Sequence, residues 1–167
     1  MPDICDLILD DHETFRRRYA ELDEHRDDTD ALARVWMPLA ELLDVHAAAE
    51  ETVFYPELLR RAADADDETV DAIKDHNKIR DAVAAAAAEA VGSDGWWKAV
   101  QNGRKENGDH MAEEEREGLA DFRAEVGADI RDQLGARFIA FKEAHAGRRS
   151  LVVEDKDPTQ YVADHQG

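Results

Sequence analysis

The chain has one cysteine among its 167 residues, few cationic side chains and no long apolar run. One cysteine cannot form a disulfide within the chain or the thiolate cluster of a structural zinc site. Lysine and arginine together number 21 against 40 acidic residues, which gives a net charge of −19. Nucleic-acid backbones and anionic membranes both bind clustered cations, so we predict neither as a partner.

The length, the single cysteine and the first residues of the sequence predict one domain in a reducing compartment. No stretch approaches the roughly 20 apolar residues that a membrane-spanning helix needs. The first residues are acidic, whereas a signal peptide begins with a basic segment. With the single cysteine, these features predict a cytoplasmic protein. We place one domain at residues 3–147 and an unassigned polar tail at 148–167.

The most informative feature that is present is a pattern that occurs twice. In each half of the chain, a lone histidine lies 34 residues before a second histidine, which is followed four residues later by a glutamate. The six residues are His12, His46, Glu50, His76, His110 and Glu114. Residues four apart lie on one face of a helix, so each HxxxE pair can chelate a cation. Imidazole with carboxylate suits iron, manganese or zinc, and a glutamate can bridge two metals, so Glu50 and Glu114 are the candidate bridges.

Apolar residues that recur every three or four positions predict helices along most of the chain. We expect four long helices and a short fifth one, at residues 3–26, 31–62, 68–91, 96–126 and 129–145. Pro38 and Pro56 are expected to bend the second of these helices. Long amphipathic helices joined by short polar turns predict an all-α, antiparallel up-down-up-down four-helix bundle, in which every long helix directs at least one of the six residues inward.

This ordered set of residues on four helices resembles the hemerythrin-like HHE cation-binding family. The resemblance covers roughly residues 5–125 and is carried by ILDDH ending at His12, HAAAEETVFYP from His46, KDHNKIR around His76 and DHMAEEE around His110. It implies a hemerythrin-like bundle whose six residues hold two non-haem iron ions. It also implies that Glu50 and Glu114 bridge the irons, with an oxo or hydroxo group between them.

The chain departs from the oxygen-carrying hemerythrins at two places. Those proteins have a further histidine four residues after the third-helix ligand, where this chain has Arg80, and their last carboxylate lies one residue further along. Fewer histidines leave coordination positions open or differently filled, which suits peroxide, nitric oxide or reversible iron occupancy at least as well as oxygen carriage. Tyr55 is either a phenolate ligand at the expected bend, or an ordinary residue that packs nearby or contacts a ligand without binding the metal.

Three functions therefore stay open on sequence alone. The first is a di-iron protein that binds O2 or NO, or that disproportionates peroxide in a catalase-like reaction; a small diatomic or peroxide ligand and a monomer or weak homodimer are expected. The second is an iron-sensing or regulatory module without turnover. The third is a metal-free helical interaction protein, which would bury six polar groups without compensation and is therefore disfavoured.

Overall fold

The computed structural model of the protein describes residues 2–167, and every regular element in that range is helical. The α-helices are α1 (Ile4–Glu24), α2 (Thr29–Ala49), α3 (Tyr55–Arg61), α4 (Ala65–Ala87), α5 (Asp94–Arg116), α6 (Gly118–Glu125), α7 (Ala128–Ala144) and α8 (Pro158–His165). A π-helix, Glu50–Phe54, joins α2 to α3, and a 3-10 turn, Ala146–Arg148, follows α7. Within the described range, no helix is both long and apolar enough to cross a membrane.

Polar side chains define where three of the four long helices begin. Asp3, Asp28 and Ser93 precede α1, α2 and α5, and each accepts a hydrogen bond from a backbone N–H in the first turn of its helix. The first N–H groups of a helix have no partner within it, so these capping hydrogen bonds stabilise each helix with its first turn at this position. The starts fix which residues face the interior of the bundle.

Four long helices form the bundle. α1 packs beside α2, α2 beside α4, α4 beside α5 and α5 beside α1, which closes a ring. The short turns after α1 and α4 return the chain alongside the preceding helix, so consecutive helices run antiparallel. The predicted all-α bundle with additional C-terminal helix is confirmed.

The prediction of a single second helix over 31–62 is wrong, because the π-helix interrupts it. Pro56 lies in the first turn of α3 and has no N–H to donate to a helical hydrogen bond. Just before it, the N–H of Tyr55 bonds to the carbonyl of Glu50, five residues back, which is the hydrogen bond of a π-helix. α2 continues through Pro38. The predicted fourth helix is also divided, at Glu117, into α5 and α6.

The C-terminal segment, which the sequence left unassigned, packs against the bundle. Its helix α8 contacts α3 and α4, and Tyr161 and Val162 are buried there. The Tyr161 hydroxyl donates a hydrogen bond of 2.5 Å to the carbonyl of Glu51 in the π-helix. The last part of the chain is therefore held close to the middle of the bundle.

Two apolar clusters fill the interior, and a polar layer lies between them. On α1, Ile8 belongs to the first cluster and Phe15 to the second, with His12 between them. The same order is repeated on α4 around His76. The clusters exclude water from both sides of the polar layer.

The only cysteine offers a direct test of this packing. Cys5 is fully buried in the first cluster, and burial together with the nearby Asp3 raises the pKa of its thiol to about 12. Because the thiolate is the reactive form, we expect no alkylation of native protein by iodoacetamide at pH 8, and complete alkylation in guanidinium chloride. Mass spectrometry reads both reactions, and rapid modification of the native protein would contradict this packing.

Candidate metal centre

The structure brings the six predicted residues into one buried layer of the bundle. None is more than 4 % exposed. The residues are His12 on α1, His46 on α2, Glu50 at the start of the π-helix, His76 on α4, and His110 and Glu114 on α5. All four long helices therefore contribute to a single site.

The inward atoms of five of these residues form two groups of three that share Glu50. The first group is His12, His46 and Glu50, and the second is Glu50, His76 and His110; within each group the candidate ligand atoms lie within 4.8 Å of one another. Glu50 Oε1 is 2.8 Å from His46 Nε2, and Glu50 Oε2 is 3.1 Å from His76 Nε2. Glu50 therefore directs one oxygen to each group.

Glu114 spans the two groups in the same way. Its Oε1 lies 3.3 Å from His12 Nε2, and its Oε2 lies 3.5 Å from His110 Nε2. Two carboxylates therefore each direct one oxygen toward each histidine pair, and metal sites in helical bundles are built from side chains of facing helices in this way.

Several inward atoms lack a hydrogen-bond partner among residues 2–167. They are His12 Nε2, His46 Nε2, both carboxylate oxygens of Glu50, and Oε1 of Glu114. Some of these atoms approach one another at ion-pair distance, but not in hydrogen-bond geometry. Unpaired buried polar atoms are costly, and a cation bound in each three-residue group would satisfy them. The residues present therefore fit a metal ion.

The electrostatics of the site couple metal binding to proton release. Burial by itself would lower the pKa of His46 and His110, but the carboxylates around them raise both pKa values to about 10. Burial would raise the pKa of Glu50, but the neighbouring histidines hold it well below its usual range. A metal ligand must offer the lone pair that the proton occupies, so we expect metal binding to displace these protons.

Each histidine directs Nε2 inward while a carboxylate faces its Nδ1. Such outer partners fix the tautomer and the orientation of a ligating imidazole. The pairs are His12 with Glu115 at 2.9 Å, His46 with Asp11 at 2.8 Å, His76 with Glu51 at 2.8 Å and, at the longer distance of 3.7 Å, His110 with Asp75.

The outer carboxylates obey the same internal repeat as the six inward residues. An aspartate directly precedes the first histidine of each half, a second glutamate directly follows the inward glutamate of each half, and corresponding residues are 64 positions apart. From the sequence, Glu51 and Glu115 were expected either on a solvated face or beside the ligands, and none of the four carboxylates was assigned to a particular histidine, although the repeat marks them. Two arginines share the spacing: Arg16 donates to Glu115 at 2.8 Å, and Arg80 donates to Glu51.

Arg80 has a defined role in this arrangement. It stands where oxygen-carrying hemerythrins have a further histidine, and its guanidinium bonds Glu51 and the side-chain oxygen of Asn77. Arg80 is 6 % exposed, so its charge is paired in the interior. In this chain, Arg80 therefore holds the carboxylate of Glu51, which in turn contacts Nδ1 of His76.

Tyr55 lies at the edge of the layer. Its hydroxyl donates a hydrogen bond to Glu114 Oε2, and its ring lies 5.9 Å from that of His76. Burial, with Glu114 and Glu50 nearby, raises the pKa of the Tyr55 hydroxyl well above its usual value. In the metal-free site Tyr55 is therefore a protonated hydrogen-bond donor to a candidate ligand.

Two cavities of very different size adjoin the site. A recess of about 20 Å³ reaches His110, Glu114 and Tyr55. A water molecule needs about 10–15 Å³ of such space, so the recess holds roughly one small molecule. A groove of about 830 Å³, between the π-helix and the C-terminal segment, reaches Glu51 but none of the six inward residues.

The comparisons with known proteins agree with this geometry. No curated protein and no solved structure matches the chain. The sequence model of the family described as Hemerythrin HHE cation binding domain matches residues 3–120, a range that contains all six inward residues. This match covers well over half of the chain, and the buried histidine and glutamate clusters fit the metal site that the family name describes. The protein therefore belongs to the hemerythrin HHE cation-binding domain family.

Proposed function

We propose that the protein holds two non-haem iron ions and binds or reacts with a small oxidant, namely peroxide, O2 or NO. The observation that carries the proposal is the pair of buried carboxylates, Glu50 and Glu114, each of which offers one oxygen to each histidine pair. Iron held by these residues would supply redox chemistry toward the oxidant.

The ligand types support a transition metal such as iron over calcium. Each half of the site offers two imidazoles and shares two carboxylates, whereas calcium prefers oxygen ligands alone. The one thiol, that of Cys5, lies in the first apolar cluster. Carboxylate-bridged pairs of iron or manganese are the metal centres that four-helix bundles typically build.

The protein's own residues orient the ligands and keep water out. The outer carboxylates hold the Nδ1 side of the histidines, so that Nε2 faces the metal position. The hydroxyl of Tyr55 holds Glu114 through a hydrogen bond, and we propose this role for it rather than that of a phenolate ligand. The two apolar clusters close the layer above and below.

The small recess limits the size of the ligand. It is the cavity that touches His110 and Glu114, and its volume of about 20 Å³ suits a diatomic molecule or peroxide better than an organic substrate. The groove of about 830 Å³ is large enough for bigger molecules, but it reaches Glu51 and none of the six inward residues.

Oxygen evolution separates the catalytic and the binding versions of this proposal. For peroxide disproportionation, iron-loaded protein should release one O2 for every two peroxides consumed, over many turnovers, while metal-free protein with an equal amount of free iron should not. An oxygen electrode measures the yield. For reversible carriage, the diferrous protein should instead bind O2 or NO and release it under vacuum. Loaded protein that does neither would contradict the proposal and would favour the iron-sensing alternative.

A further inference from the structure

The part of the chain beyond the family match, residues 121–167, reaches the candidate metal centre through two lysines. Lys142 of α7 places its Nζ 2.5 and 2.6 Å from the two carboxylate oxygens of Asp11. Lys156, just before α8, places its Nζ 2.5 Å from Glu51 Oε2. Both lysines therefore contact carboxylates of the bundle, although they lie more than 100 residues away in sequence.

The two carboxylates are outer partners of candidate ligands. Asp11 holds Nδ1 of His46, and Glu51 holds Nδ1 of His76. His46 belongs to one three-residue group and His76 to the other. Each half of the site thus has one chain of contacts that runs from a C-terminal lysine, through a carboxylate, to an imidazole.

We propose that Lys142 and Lys156 are positioning residues for the two metal ions. Each lysine fixes the carboxylate that orients one ligand histidine, so the C-terminal extension controls how firmly each half of the centre holds its metal. The inference rests on the proposed function, because it requires a metal in each half.

The internal repeat of the bundle shows that the lysines are an addition to it. In the internal repeat, Asp75 corresponds to Asp11 and Glu115 corresponds to Glu51; we call these corresponding residues mates. Lys78, on the same helix, bonds Asp75 at 3.4 Å, and Arg16 of α1 bonds Glu115 at 2.8 Å. Among the described residues, no extension lysine forms an ion pair with either mate.

Burial explains why the additional cations are placed where they are. The side chains of Asp11 and Glu51 are 10 % and 2 % exposed, against 15 % for Asp75 and 29 % for Glu115. In each pair the carboxylate that Lys142 or Lys156 contacts is the more buried one. A buried carboxylate without sufficient compensation is costly, and it would turn toward water or toward another partner.

Lys156 is itself held in place next to the site. The Asn77 side chain donates to the carbonyl of Lys156 at 2.7 Å and accepts from its N–H at 3.0 Å. Asn77 directly follows His76 on α4. The backbone of Lys156 is therefore fixed to the helix that carries a candidate ligand.

The rate of iron release to a ferrous chelator tests the proposal. In anaerobic, ferrous-loaded protein, Lys142→Met and Lys156→Met should each speed the release of one of the two iron equivalents by about tenfold, at the lower end of the roughly 10–100-fold effects of removing an outer partner itself. The double variant should speed the release of both equivalents. Lys142→Arg and Lys156→Arg keep the positive charge, so these variants should release iron at about the rate of the unmodified chain.

The matched control is Lys74→Met. Lys74 is an exposed lysine of α4 whose ion pair, with Asp71 at 3.2 Å, leads to no histidine. This variant removes the same charge from the protein and should release iron at the rate of the unmodified chain. Equal release from Lys74→Met and the two other methionine variants would overturn the proposal.

A second measurement separates positioning from general stability. In an Asp11→Asn protein, the contact from Lys142 to His46 is already broken, so adding Lys142→Met should not speed release further. In a Glu51→Gln protein, Lys142→Met should keep its full effect. If Lys142→Met acts equally in both backgrounds, it acts through stability alone and the proposal fails.

The outcome also distinguishes this inference from the proposed function. If the unmodified chain takes up no iron, the proposed function fails and the inference fails with it. If the chain takes up two irons and the lysine variants release them like Lys74→Met, only the inference fails.

Discussion

Glu50→Gln is expected to abolish stable iron binding in both halves of the site. Glu50 is fully buried and is the one residue common to both three-residue groups. Glutamine keeps the shape of the side chain but removes the negative charge that both positions share. We expect affinity to fall by more than the roughly 100-fold upper range for the loss of an outer partner, because a direct ligand is lost from both metals.

The control for this change is Glu13→Gln. Glu13 is an exposed acid next to His12 on α1, so its replacement changes the net charge equally without touching the layer. Iron per chain after anaerobic loading and desalting measures the result, with far-ultraviolet circular dichroism to confirm that both variants are helical. Retention of two irons by Glu50→Gln would show that this carboxylate does not bridge.

Metal-free protein is expected to melt well below the loaded protein. A ligand present at 100 times its dissociation constant contributes about 2.7 kcal/mol per site, so two sites contribute about 5 kcal/mol. For a chain of this length, that corresponds to a decrease in Tm of about 10 to 20 °C on metal removal. The loss arises because the buried inward atoms are left without the cation that satisfies them.

The pH dependence of the metal-free protein follows from its histidines. The folded-state pKa values of His46 and His110, about 10, lie above the ordinary value of 6.5. Their contribution to stability is therefore complete below pH 6.5 and is lost as the pH rises toward 10. In the loaded protein the metal replaces these protons, so this alkaline loss should disappear.

On the acid side, the outer carboxylates determine the trend. Burial would raise the pKa of Glu51, but His76 and Arg80 lower it to about 2. Its contribution to stability is complete above the ordinary pKa of 4.5 and is lost as the pH falls toward 2.

Denaturant titrations at pH 6, 8 and 10, with and without iron, measure the alkaline effect of His46 and His110. Equal losses with and without iron between pH 6 and 10 would contradict the assignment of these histidines as ligands.

The sequence predicted the bundle and the inward layer because both depend on local periodicity. A histidine and a glutamate four residues apart share a helix face wherever the helix forms, and the internal repeat indicates two halves. The six residues do lie together in the structure, between the apolar clusters. Their assignment as metal ligands remains a prediction that the iron measurements test.

The local helix geometry at Glu50 could not be predicted in the same way. A regular helix would turn Glu51 about 100 degrees away from Glu50, yet both are buried where the π-helix begins. Pro56 indicated a bend, but not that the change of helix type would begin at Glu50, earlier in the chain. The contact of Glu51 with His76 depends on how this segment packs against α4, so the sequence did not assign it.

Contacts between distant parts of the chain were also beyond sequence reasoning. The segment after Gly147 has little apolar periodicity, yet Tyr161 and Val162 are buried and Lys156 reaches Glu51. Lys142 lies on a helix that was predicted, but its contact with Asp11 depends on how α7 packs beside α1. Pairings of this kind depend on tertiary packing, which no local pattern encodes.

The most direct test of the two-metal centre is an anaerobic titration of metal-free protein with ferrous iron, with iron and protein quantified after desalting. We predict two irons retained per chain, with protons released as they bind. No retained iron, or a single iron whose retention is unchanged in Glu50→Gln, would contradict a centre built from the two histidine pairs and their shared carboxylates.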